Sequence, residues 1–392
     1  MRPCRVEIRT RALAENWRFL TGLSAPHAEL LAIVKCNAYG HSLALSAPAL
    51  MNAGARWLGV TSVEEGIAAR ALCPDARILV IGGIFPQQAA AAIQFALTPV
   101  VWESWHLEEL QAAARAAGLA PESVGVHLEI DTGMSRQGIA PGEVGSLLSR
   151  FGPASALRLE AVMTHLYAAD ESDDAITHSQ FARLDEALGR ISSAGLFAEW
   201  LNVGNSAALL AGQAGAIAEL AARHGMKALL RPGLALYGLV PEYDPPFAPD
   251  PASLTAARGA LKPVLSWKAA VVGVRSVAAG DTVGYNATFV ATEPMRLALV
   301  SAGYGDGLDR TLGNRFDLLV RGQRAPLVGR ISMDQAVLDV TEIEGVSAGD
   351  EVMILGEQGG ETITAFDHAR ATDTIPWEVF TRIAPRVARV GV

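Results

Sequence analysis

Lys35 closes an apolar run in LLAIVKCNAYG and is one of only four lysines among 392 residues. Apolar surroundings disfavour the ammonium, and the neutral amine can then act as a base or form a Schiff base with a carbonyl. The residues alone also allow a strand-end lysine that lays its stem on the core and its charge in water. Other reactive groups follow apolar runs in the same way: Asp131-Thr132-Gly133-Met134-Ser135-Arg136, Thr164-His165, Gly204-Asn205-Ser206 and Arg231-Pro232-Gly233. Arg136 and Arg231 could bind an anion or pair with a carboxylate. His165 could move a proton or be a satisfied structural group. The Ser206 hydroxyl and the bare backbone of Gly233 suit a phosphate, although most loop glycines serve turns. Tyr39, four residues after Lys35, could hydrogen-bond a phosphate or simply pack. Glu129 and Asp131, two apart on a strand, share a face, and Arg136 could pair with either.

These groups would meet only if the runs preceding them end at one place. Eight short apolar runs, 28–34, 57–60, 78–81, 97–101, 124–130, 157–163, 200–203 and 228–230, alternate with helical stretches such as 63–72, 86–95, 105–117, 142–150 and 179–194. Ser62 with Glu65 three residues later has capping-box spacing, and Gly118 and Gly195 mark helix ends. Eight such units predict an α/β fold with a closed (β/α)8 TIM barrel, whose chemistry gathers at the carboxyl ends of the strands. An open sheet satisfies the same periodicity. After Gly238 the segment PEYDPPFAPDPAS reads as a linker, and Val-rich runs at 264–277, 282–285, 295–301, 318–320, 325–328, 335–340 and 351–355 predict a mostly-β second domain. The expected domains are therefore 1–240 and 241–392, with the first few residues free to join the second.

Composition narrows the function. Net charge is −9 without a basic tail or block, which argues against nucleic-acid binding. The uncharged stretch 78–102 contains two glycines, two prolines and three glutamines, and reads as strand, turn, helix, strand rather than a membrane span. Three cysteines without metal-ligand spacing, and an N-terminus without an apolar leader, point to a cytoplasmic protein with no metal site.

The chain resembles bacterial alanine racemases, a family of pyridoxal 5′-phosphate (PLP) enzymes with an N-terminal barrel and a C-terminal β domain. The resemblance runs through AIVKCNAYGHSL, HLEIDTGMSRQGI, THLYAADE, NVGNSAALL, RPGLALYGL, VGYNATF, AGYGDGLDR, VGRISMDQ and TIPWEVFTRIAPRVARV, in the family's order. It implies a Schiff base between Lys35 and PLP, with Lys35 and Tyr285 as two opposed bases. It implies that Arg231 faces the pyridine nitrogen with His165 behind it. Tyr39, Asn205, Ser206, Gly233, Leu234 and Trp377 would hold the cofactor. Arg136, Met333 and Tyr304 would meet the substrate, and Asp170 and Arg310 would line the entrance. A homodimer is implied, with Tyr285 and Met333 reaching the partner's site, and the product would be D-alanine for peptidoglycan. An arginine opposite the ring nitrogen does not readily give up a proton, so the electron sink stays weak and side reactions are suppressed.

Two positions depart from the family pattern. Glu129 stands where many members carry a carbamylated lysine that steadies Arg136; its carboxylate is expected to supply that charge directly, with shorter reach, so bicarbonate should leave activity unchanged. Trp377 replaces a tyrosine whose hydroxyl would touch the phosphate, which predicts a looser grip or a reshaped pocket. Phe289, where a second tyrosine is common, reads as a packing change. The alternatives are a racemase of serine or another small amino acid on the same fold, a barrel-type decarboxylase, which Arg231 argues against, and a non-catalytic PLP-binding protein, for which Tyr285 and Met333 would have no use.

Overall fold

Strands buried on both faces need continuous apolar runs, and the first two-thirds of the chain supplies them. In the computed structural model, which describes residues 3–392, the strand that opens the chain is β1 (Arg5–Ile8). Eight parallel strands then close into a barrel: β2 (Ala28–Ile33), β3 (Trp57–Val60), β4 (Arg77–Val80), β5 (Thr98–Val101), β6 (Val124–Glu129), β7 (Leu157–Met163), β8 (Trp200–Asn202) and β9 (Lys227–Leu230). Closure is made by β9 on β2, with Ala28 opposite Ala228. The expected TIM barrel is the observed fold, and the open sheet is excluded. The uncharged stretch 78–102 resolves into most of β4, the helix Ala89–Gln94 and β5. No helix among the described residues is long and apolar enough to cross a membrane.

The helix Thr10–Ser24 was not evident from the sequence. Its buried residues Leu13, Asn16, Trp17, Leu20 and Ser24 recur at helical spacing and form one stripe. Asn16 holds it in place, donating to the carbonyls of Leu236 (3.0 Å) and Lys262 (2.8 Å) and accepting the Lys262 N–H (2.9 Å). The barrel belongs to a compact unit of Arg11–Ala38 and Ser46–Lys262.

The second unit comprises the chain up to Thr10, Tyr39–Leu45 and Pro263–Val392. Its strands are β10 (Leu265–Val277), β11 (Thr282–Val283), β12 (Phe289–Val290), β13 (Met295–Val300), β14 (Asp317–Val320), β15 (Gln323–Pro326), β16 (Ala336–Asp339), β17 (Glu351–Gln358), β18 (Glu361–Ile363) and β19 (Ala388–Gly391). Nine strands form one sheet along the order β15-β14-β17-β10-β1-β19, with β13 and β16 extending from β10 and β18 from β17. β1 lies between β10, antiparallel, and β19, parallel. Phe289 packs on the apolar cluster of Val283, Met295 and Val328. The expected strand at 282–285 ends at Val283, because Gly284 takes a positive φ and turns the chain into a short 3-10 turn at Tyr285–Ala287.

Candidate active site

The carboxyl end of β2 leads through Val34 to Lys35, where the backbone does something no periodicity announces. Cys36, Asn37, Ala38 and Tyr39 all hold left-handed conformations, with φ between 51° and 56°. Each costs an L-residue about 1–2 kcal/mol, so the turn needs external support. Part of it is the Ala38 N–H donating to Val34 O at 2.8 Å. Glu65 supplies another part, its carboxylate accepting the N–H of Cys36 (2.7 Å) and of Thr61 (2.8 Å). The expected capping box is therefore half formed. Ser62 Oγ accepts the Glu65 N–H at 3.3 Å, but the Glu65 carboxylate goes to Thr61 and to the turn after Lys35. Burial lowers the Lys35 pKa, the neighbouring Cys36 opposes this, and the charges of Arg136 and Arg231 lower it further.

Arg231 follows β9 and is buried. Its Nη1 donates to both O and Oδ1 of Asn202 at 2.6 Å, and its Nη2 donates to Thr164 O at 2.8 Å and faces His165 Nδ1 at 3.3 Å. These partners are uncharged. Burial brings its pKa down to about 10, with Glu129 opposing and Arg136 assisting, so it remains a guanidinium at neutral pH. His165 is pushed down to about 3 by burial and by the charges of Arg231, Arg136 and Lys35. A neutral ring facing an arginine must accept, which puts the His165 proton on Nε2.

Glu129 departs from expectation in its partner. The carboxylate accepts a very short hydrogen bond from Gln137 Nε2, which also donates to Ile81 O at 3.1 Å. No hydrogen bond or ion pair joins it to Arg136, whose side chain is exposed. The arm of a glutamate stops at Gln137, so Arg136 feels Glu129 through space only. Burial pushes the Glu129 pKa up to about 7 against the pull of Gln137, Arg231 and Arg136. Glu129, Arg136, Gln137, Thr164 and His165 line one cleft, packed too closely to hold a water.

Asn205 caps the short helix Ser206–Leu210, accepting the Ala208 N–H at 3.0 Å and donating to Leu166 O at 3.1 Å. Ser206 Oγ accepts the N–H groups of Gly233 (2.9 Å) and Ala235 (3.2 Å), which gathers Ser206, Gly233 and Leu234 into one turn. Thr132 and Thr164 bond through their hydroxyls at 2.8 Å, and Gln180 ties both loops by donating to Thr132 Oγ1 (2.7 Å) and His165 O (2.9 Å). Asp170 is exposed further along the loop after β7.

The remaining expected residues belong to the second unit. Tyr39 is buried at the end of the left-handed turn. Tyr285, Met333 and Tyr304 expose 65%, 54% and 43% of their surface, unusual for large apolar side chains. Tyr304 and Met333 sit on one rigid scaffold. Tyr304 N–H donates to Ser332 O (3.0 Å) and Gly305 N–H to Met333 O (2.8 Å), while Arg386 joins buried Asp306 (2.8 Å), Asp334 (2.8 Å) and Met333 O (3.4 Å). A Cβ on Gly303 would stand 2.3 Å from Ser332 O, so glycine is what lets the two segments touch. Arg310 is exposed, and Trp377 is partly buried in the helix Pro376–Arg382.

Sequence reasoning missed Asn202, Gln137 and Glu65. Asn202 had a signal, a polar residue inside an apolar strand. Glu65 looked like an ordinary capping residue, and nothing in Gln137 distinguished it.

The site thus assembles an amine of lowered basicity, two guanidiniums and one half-neutral carboxylate around strand ends, a donor set for an anionic ligand. Residues 8–241 match the model of the alanine racemase N-terminal domain, and residues 264–391 that of the alanine racemase C-terminal domain. The chain belongs to the alanine racemase family. It is similar to the alanine racemase of Sorangium cellulosum, 38% identical over 400 residues covering 99% of each chain. Among solved alanine racemases it is similar to that of Streptomyces lavendulae, with a TM-score of 0.87 at 34% identity over 100% of this chain and 97% of the other. The Bartonella henselae alanine racemase, solved with covalently bound pyridoxal phosphate, has a TM-score of 0.83 at 26% identity, with 100% of both chains covered. Alanine racemases are PLP-dependent isomerases acting on an amino acid.

Proposed function

We propose that this enzyme interconverts L-alanine and D-alanine, with pyridoxal 5′-phosphate held covalently at Lys35 and with Lys35 and Tyr285 as opposed acid–base groups. The observation that carries the reading is Arg231, a buried guanidinium held entirely by neutral acceptors beside an amine whose basicity burial has lowered. When bound, pyridoxal phosphate supplies an electron sink that makes the substrate's Cα proton removable. Arg231 suits the ring nitrogen of that group because it offers a hydrogen bond and keeps its own proton. Ser206, Gly233 and Leu234 would take the phosphate with Tyr39, Asn205 and Trp377.

Lys35 Nζ would take or return a proton on one face of the substrate. The Tyr285 hydroxyl would do so on the other, which is what inversion requires. Tyr285, Met333 and Tyr304 are exposed on their own unit, in keeping with a homodimer in which each copy lends Tyr285 and the Met333 backbone to the other's site. Arg136 would meet the substrate carboxylate, and Asp170 and Arg310 would stand on the way in. Three free cysteines, one of them exposed, agree with a reducing, cytoplasmic setting.

The test is to purify the protein with PLP, reduce it with borohydride, and map the pyridoxyl group by peptide mass while assaying alanine and serine interconversion. A label on Lys35, abolished in Lys35→Ala, with alanine turned over faster than serine, is expected. A label elsewhere, or no racemisation, overturns the reading; faster serine turnover would reassign the substrate.

A further inference from the structure

Arg231 is also one end of a polar column that runs down the inside of the barrel. Its Nη1 donates to Asn202 Oδ1 at 2.6 Å. An arginine can only donate, so this bond fixes the amide: Oδ1 faces Arg231 and the NH2 faces away. That NH2 lies 3.0 Å from Nδ1 of His127, which is fully buried. Nδ1 must therefore accept, and the ring proton sits on Nε2. His127 Nε2 lies 3.5 Å from Glu160 Oε2, long for a hydrogen bond, but neither atom has a closer polar partner among the described residues. The other Glu160 oxygen accepts from Arg77 Nη2 and Arg158 Nη2, both at 2.7 Å. These two arginines are half-exposed at the amino-terminal mouth of the barrel, the end opposite Lys35.

Two features of the strands accommodate the column. The pairing of β6 with β7 slips between Val126 and His127, so Glu160 is an extra residue opposite no partner. Such a bulge re-aims a side chain that regular alternation would send to the other face. The space it enters is kept open by Gly125, where a Cβ would stand 2.9 Å from the Glu160 carboxyl. His127 is held edge-on to Trp57 with ring centres 5.7 Å apart, and Arg77 lies over the same indole at 3.6 Å.

We propose that Glu160 and His127 are positioning residues for Arg231, acting through Asn202 as a one-way chain of donors that ends on a carboxylate at the far mouth of the barrel. Every N–H points away from Arg231, so negative charge and lone pairs point toward it. The chain thereby holds the guanidinium in place without setting a carboxylate beside it, where it would compete for the donors that face the ligand. Burial lowers the His127 pKa, consistent with a neutral ring between Asn202 and Glu160. Only the catalytic consequence rests on the function proposed above; the tautomer and the coupling to Arg231 do not.

The test uses the full chain with histidine and arginine side chains labelled with 15N. His127→Gln identifies the His127 signals, and Arg231→Lys identifies those of Arg231. In the unmodified protein at neutral pH, His127 should be neutral with its proton on Nε2. A doubly protonated ring, or a proton on Nδ1, overturns the chain, and both are read on the unmodified protein once the variant has assigned the signals. In Glu160→Gln, one amide edge would bond Arg77 and Arg158 and the other would present donors to Nε2–H. His127 should then lose its single tautomer and the Arg231 Nη signals should move. In the PLP-loaded enzyme the same variant should lower kcat roughly tenfold or more while KM changes little. Unmoved Arg231 signals overturn the proposal even if kcat falls. Failure of the unmodified enzyme to racemise would defeat the functional reading and leave the spectroscopic result to decide the chain.

Discussion

Replacing Glu129 with glutamine removes a titration and little else, because the new amide oxygen can still accept from Gln137. The buried carboxyl is displaced from its ordinary 4.5 to about 7, which corresponds to about 3 kcal/mol of differential stability. The sign follows from which state holds the proton. Between 4.5 and about 7 the folded chain keeps Glu129 protonated while the unfolded chain has released it. This group's contribution is therefore fully present below 4.5 and is lost as the pH rises through about 7. Glu129→Gln should lack that loss. For a unit of this size each kcal/mol moves the midpoint by about 2–4 °C, so above pH 7 the variant's barrel should melt roughly 6–12 °C higher relative to wild type than it does at pH 4.5. Calorimetry of the PLP-free proteins across that range reads the difference, and all other titrating groups cancel between the two chains. Parallel melting curves would refute the reasoning, because they would mean that Glu129 is solvated or paired well enough to ionise normally.

Three further substitutions probe the supports of the site. Glu65→Ala leaves the N–H groups of Cys36 and Thr61 without their acceptor; it should cost about 1–3 kcal/mol in chemical denaturation and reduce the borohydride-trapped label on Lys35, and unchanged values for both would show that the left-handed turn holds itself. Trp377→Tyr should tighten PLP retention or shift the alanine-to-serine ratio in titration and rate assays, and the idea fails if neither moves. Arg386→Met releases Asp306, Asp334 and the Met333 carbonyl together, so KM for alanine should rise severalfold with kcat little changed; an unchanged KM would remove Met333 from the substrate's carboxylate.

Local pattern carried much of this molecule. The strands at 57–60 and 157–163 and the helix at 63–72 lie where apolar runs and the Ser62 cap put them, because burial on both faces and an N-cap are properties of a few consecutive residues. The reactive groups after each run were legible for the same reason: a parallel barrel delivers whatever follows its strands to one end. Partners were not legible. Glu129 was expected to reach Arg136 and instead meets Gln137, since which side chain turns inward after Ile130 depends on how the loop packs against Ile81. Cys36 to Tyr39 have no glycine among them, so nothing local announces a left-handed turn that Glu65 holds from 29 residues away.

By itself the sequence determined the periodic elements, the family, and the inventory of an amine, two guanidiniums and an imidazole at strand ends. Tertiary structure alone decided their charge states and alignment. Burial and neighbours far along the chain set these: Arg231 takes its acceptors from Asn202 and Thr164, 29 and 67 positions earlier, and the slip of β7 against β6 turns Glu160 into the barrel. Desolvation and long-range hydrogen bonds are properties of a closed barrel, and no window of consecutive residues contains them.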